Sequence, residues 1–140
     1  MIDYAVRARL LEVATVTDLV GTGTAARIFP MQLPQALEVW PAITYQVVSG
    51  RPEYNLQGAA GLAEIRLQID CWAAQRGKAD AYAQVRELAE AVRGALSGYR
   101  GTVGGHTIQS CFLESRRVLH EPEVQVFRES LDFTIGYAEP

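Results

Sequence analysis

The chain has 140 residues, 49% of them hydrophobic and 21% charged, with a formal charge of -3. That length suits a single domain, 1–140, with a real core, and the charge offers no basic surface for nucleic acid. No apolar run approaches the ~20 residues of a membrane span, and an N-terminus carrying Asp3 without an apolar signal region predicts a chain made in, and kept in, a cytoplasm.

Asp3 reads as a helix N-cap, with Ile2, Val6, Leu10 and Val13 forming one helical face behind it. Thr15–Val20 reads as a short second helical turn closed by Gly21. The letters Gly21-Thr22-Gly23-Thr24-Ala25-Ala26 spell a dinucleotide fingerprint, but Arg27-Ile28-Phe29-Pro30 follows them as a short strand instead of the required helix. Residues 31–41, with Pro34 and Pro41, read as a surface loop, and Ala42–Ser49 as a strand. Gly50–Gly61, with three glycines, reads as a long and functionally suggestive connection.

From Glu64 the chain alternates strictly. Ile65, Leu67, Ile69 and Cys71 fall on one side, and Glu64, Arg66, Gln68 and Asp70 on the other, which predicts a half-buried strand over 62–74. The period then changes: Ala81, Val85, Leu88, Val92 and Leu96 recur at helical spacing, predicting a helix over 78–97 with Gly98 as its left-handed stop. After a glycine-rich turn at Tyr99–Gly105, residues 107–119 read as a strand with a polar middle. Residues 120–123 read as a turn and 124–137 as a final strand. There Phe127, Leu131, Phe133, Ile135 and Tyr137 form the apolar side, and Glu129 interrupts it where exposure is expected.

The expected fold is α+β: a four-stranded, mostly antiparallel sheet ordered 42–49, 62–74, 124–137, 107–119, with helices on one face. Strands 42–49 and 107–119 should be its edges. The best-alternating strands should be central.

Catalytic patterns are weak. His106, Ser110 and Asp70 lack a nucleophile elbow, and His106, His120, Cys71 and Cys111 lack a close metal-ligand spacing, so no catalytic, cofactor-binding or metal residue is assigned. The two cysteines read as reduced, buried thiols. Glu87 and Glu90, beside Arg86 and Arg93, read as a solvated helix face. Trp40 and Tyr54 are candidate exposed aromatics. The polar sheet face would suit either solvent or a subunit contact.

The succession of segments resembles the tail-completion proteins of long-tailed bacteriophages, a family that includes tail terminators and head–tail-joining proteins. The carriers are Leu10-Leu11, Asp18-Leu19-Val20-Gly21, Arg27-Ile28-Phe29-Pro30, Pro41–Gln46 with Ser49-Gly50, Gln68–Ala73, Leu88–Arg93 and Asp132–Ile135. The resemblance implies a non-enzymatic structural protein without cofactor. It would form a ring, commonly a hexamer, that caps the head-proximal end of the tail tube and helps join tail to head. Its implied partners are itself, the tail-tube protein and the head connector or stopper, with DNA only as passing cargo and no membrane. Its implied place is the neck of a virion assembled in the bacterial cytoplasm. The expected contact residues are Arg51, Glu53 and Tyr54 in the long connection, and Glu64, Arg66, Gln68, Asp70 and Arg128 on the sheet face. The other reading is a small ligand-binding or enzymatic α+β domain with an unrecognised pocket.

Overall fold

A computed structural model describes residues 1–55 and 58–138, with side chains outside 52–61. Two helices, α1 (Ile2–Leu11) and α2 (Ala14–Val20), lead through a 3-10 turn at Gly23–Ala25 into β1 (Ile28–Pro30). The strands β2 (Ala42–Asn55) and β3 (Gly58–Ala74), the helix α3 (Ala81–Leu96), and β4 (Gly101–Val103), β5 (His106–Glu121) and β6 (Val126–Ala138) follow.

The sheet has six strands in the order β1-β2-β3-β6-β5-β4, not four, and it curls into a half-barrel. The long strands keep the expected order. β6 lies between β3 and β5 and antiparallel to both. The expected edges were misplaced because Ile28–Pro30 adds in parallel to β2, and Gly101–Val103 adds antiparallel to β5. The short strand expected at Arg27–Pro30 is left out of the expected sheet, and the three residues of Gly101–Val103, inside a glycine-rich turn, give too little alternation to be read as a strand.

The core lies where the two periodicities meet. Ile65, Leu67 and Ile69 of β3 stand opposite Ile135, Phe133 and Leu131 of β6, and all six are buried. Above them α3 lays down Val85, Leu88, Ala89, Val92 and Leu96, all with no exposed surface. This helix begins at Ala81 rather than at 78, because Asp80 caps it by accepting a hydrogen bond from the Ala83 amide at 3.0 Å. Ile2, Val6, Leu10, Val16 and Val20 of α1 and α2 extend the same core. The expected N-cap at Asp3 is displaced to Met1, which starts the helix early enough to bury Ile2. At the β4–β5 turn the backbone presses on α1: a Cβ on Gly104, whose φ is +57°, would stand 2.9 Å from the Ala5 Cα.

The expected long connection at Gly50–Gly61 is not a loop. β2 runs on to Asn55 and β3 starts at Gly58, paired as Gly50↔Ile65, Arg51↔Glu64, Pro52↔Ala63 and Asn55↔Gly58. Bulges between Val47 and Ser49 and between Pro52 and Tyr54 absorb the irregular sequence. Each bulge resets the alternation, so the extension is hidden from a search for period two.

Candidate functional site

The sheet face turned away from the helices carries most of the expected contact residues, in rows set by the register. One row joins Leu119, Arg128, Trp72 and Ala42 across β5, β6, β3 and β2. The next joins Arg117, Ser130, Asp70 and Thr44, and a third Ser115, Asp132, Gln68 and Gln46. Trp72 donates its indole N–H to Thr44 Oγ1 at 2.9 Å, and the Arg128 guanidinium lies 5.0 Å from the Trp72 ring centroid. This end of the face is closed. Thr44, Asp70 and Ser130 are buried, and Asp70 accepts a hydrogen bond from Gln68 Nε2 at 2.9 Å.

Of the expected contact residues, Asp70 is buried, and Gln68 and Arg128 turn toward neighbours on their own face. Alternation alone put Asp70 on a solvated face, whereas a Trp two residues away is large enough to cover it. Farther along, Arg51, Glu64 and Arg66 come together, exposed, around a shallow recess of about 170 Å3 lined also by Ser49 and Ile65. Arg66 lies 4.0 Å from Asp132, which also accepts from Ser115 at 3.1 Å. The side chains of Glu53 and Tyr54 lie outside the described residues. Trp40 is half-buried, preceding a cis bond to Pro41.

The arrangement that sequence reasoning missed lies on the other face. Glu129, expected exposed, has no exposed surface. Arg116 of β5 donates to its Oε2 from Nε at 2.8 Å and from Nη2 at 2.5 Å. Arg86 of α3 places Nη1 3.1 Å from Oε1, an ion contact without hydrogen-bond alignment. Arg116 also donates from Nη1 to Glu90 at 2.8 Å, and Arg93 contacts Glu90 at 3.0 Å. Glu90 thus has its carboxyl held below the ordinary range, by Arg116 first and then Arg93. The legible signal was a Glu on the apolar side of one strand and an Arg on the apolar side of another.

These geometries describe contact surfaces and an internal clamp. Residues 4–138 match the family described as tail completion protein gp17. The chain belongs to that family. The fold is also similar to a chain of the virion of native gene transfer agent (GTA) particle, with a TM-score of 0.73 and 17% identity over 98% of this chain and 94% of that one. No curated protein matches the sequence. Membership of a tail completion family gives this protein a structural role in a phage tail and places it in the virion.

In this tail completion protein, the residues considered for chemistry are far apart. Ser110 stands opposite Gly136, and Asp70 opposite Ser130, six positions along β6 and roughly 20 Å away. Cys71 and Cys111 are free and separated in the same way, at the levels of Glu129 and Ile135. Burial pushes the Cys111 thiol up to about 12. The Cys71 thiol is raised by burial first, and by Glu129 and Asp70 beside it. Gly21–Ala26, the nominal fingerprint, is partly a 3-10 turn before β1. Among the described residues, no helix is long and apolar enough to cross a membrane.

Proposed function

We propose that this tail completion protein assembles as a ring, by the resemblance a hexamer, on the head-proximal end of the tail tube. There it stops tube growth and offers a surface to the head connector. The observation that carries this reading is the family match over residues 4–138. A tube of stacked rings keeps adding subunits until something binds its end without repeating the tube's own interface. A subunit with one helix-covered face and one polar face is suited to that task. Among the described residues, the β2–β3 ribbon extends past the last β6 pairing, at Leu62↔Ala138, far enough to reach a neighbour. Arg51, Glu64, Arg66 and Arg128 are the described contact candidates on the polar side, with Glu53 and Tyr54 on the ribbon.

The protein acts by geometry, without catalysis or cofactor. A charge of -3 suits a ring through which DNA slides, because tight phosphate binding needs clustered Lys and Arg. Deleting the gene from an inducible prophage should leave filled heads unattached to tails. Free tails of abnormal length would assign termination, and tails of normal length would assign joining. Infectious particles of normal yield and shape would overturn the reading and bring forward a small ligand-binding domain.

A further inference from the structure

The two outer long strands, β2 and β5, are each covered only at their start. β1 pairs with Ile43–Tyr45, and the Met31 amide donates to the Tyr45 carbonyl at 2.9 Å. β4 pairs with His106–Ile108, and the Gly98 amide donates to the Cys111 carbonyl at 2.8 Å. Beyond these, residues 46–55 of β2 and 112–121 of β5 have no outer neighbour among the described residues. These are free edges of equal length. An open edge is a row of unpaired amides and carbonyls, and proteins normally blunt or cover it. Here the edges instead expose large apolar side chains: Val47 and Val48 on one, Phe112 and Val118 on the other, at 44%, 56%, 59% and 36%.

We propose that the ring closes by strand pairing, with residues 112–121 of β5 in one copy lying antiparallel beside residues 46–55 of β2 in the next. The sheet then runs on from subunit to subunit. The proposal rests on the ring reading above and names its junction.

Three observations select a second copy as the occupant. First, the long strands alternate in direction across β2, β3, β6 and β5, so β2 and β5 point oppositely. Rotation about a ring axis preserves each strand's sense, so the junction continues the alternation. An odd number of long strands would have placed parallel edges together. Second, the short strands act as stops. Across the sheet Glu121 is level with Val126 and Ala74, two positions beyond the Trp72↔Ala42 pair. Without a slide, β1 of the next copy would occupy the path of β5. A slide of about six residues matches 121 to 46 and 112 to 55 and clears both β1 and β4. Third, that slide suits closure. About six residues amount to roughly 20 Å, and four strands at ~4.8 Å span roughly 19 Å, so the strands tilt about 45° from the ring axis, at the upper end of the range for closed sheets. The same register sets Val47 opposite His120 and Val48 opposite Leu119, with Val118 opposite Ser49 and diagonal to Val47. Three of the four exposed apolar residues thus gather at one end of the junction, while Phe112 falls opposite Asn55 at the other.

Native mass spectrometry and amide hydrogen exchange on the intact chain test this. The wild type should form a closed ring, with the amides of 46–55 and 112–121 slowing roughly tenfold or more on assembly. Val48→Lys and Val118→Lys should each shift the mass to monomer, whereas Val39→Lys and Tyr4→Lys, exposed outside the paired edges, should leave the ring. Should either edge variant fail to fold, the wild-type exchange pattern decides alone. A ring whose edges exchange as in the monomer overturns the strand junction and leaves the ring reading standing. A chain monomeric at every concentration overturns both. Edge protection that appears only on adding tail tubes assigns the edges to the tube protein and overturns the proposal.

Discussion

Glu129 is a carboxylate with no exposed surface, held by Arg116 and Arg86, whose own side chains are 26% and 43% exposed. The asymmetry predicts which substitutions hurt. Arg116→Ala leaves a buried charge with one misaligned partner and should cost about 3–5 kcal/mol in denaturant melts. Glu129→Met leaves two arginines that can turn to water and should cost clearly less; an equal loss would show that the arginines are also trapped. Glu90 behaves differently because it is on the surface. Its depressed carboxyl contributes stability that is fully present above the ordinary pKa of 4.5 and is lost as pH falls through its folded value. The stability gap between wild type and Glu90→Gln should therefore be open at neutral pH and close in acid, read by melts across that range. Alternation placed Glu129 on the apolar side correctly. Its burial was illegible because the compensating arginines stand 13 and 43 positions away, on other elements.

At the scale of elements, α3 was legible because its apolar stripe is continuous, and β3 and β6 because their alternation is unbroken. Leu88, fully buried beneath α3, should cost about 2–5 kcal/mol when replaced by Ala, through lost packing and the cavity left. Asp80→Ala should cost about 0.5–2 kcal/mol by freeing the first-turn amide that it accepts. Chemical denaturation measures both, and a Leu88→Ala change below ~0.5 kcal/mol would contradict the packing described. The β2–β3 extension was illegible because Gly50, Pro52 and two bulges erase period two there. Replacing residues 53–60 by Asn-Gly should keep the melting temperature nearly unchanged, since the pairing of β3 with β6 ends short of that ribbon, at Leu62. The same variant should weaken assembly, measured as ring fraction by native mass.

For the whole molecule, strand order followed from the sequence because two well-alternating strands and one helical stripe leave few arrangements. The site was legible only in part. Arg51, expected in a loop, and Glu64 and Arg66, expected on the sheet face, meet only because β2 runs on past Gly50, and Asp70 is buried two positions from Trp72, whose size a pattern of polar and apolar letters does not register. A junction made of backbone hydrogen bonds and apolar cover should tolerate salt. Raising ionic strength from ~0.1 to ~1 M shortens the screening length from about 10 to about 3 Å, yet the ring should persist in analytical ultracentrifugation. Dissociation would instead assign the contact to the charges of the polar face. The two buried, weakly acidic thiols carry a practical corollary. Thiolate is the reactive form, and at neutral pH the folded chain holds almost none of it at either cysteine. The natural protein is thus already a silent background for maleimide dyes and spin labels. One cysteine introduced at Val39, exposed and outside the paired edges, would be a chemically unique handle, through which a fluorophore or nitroxide could report each subunit's arrival in real time.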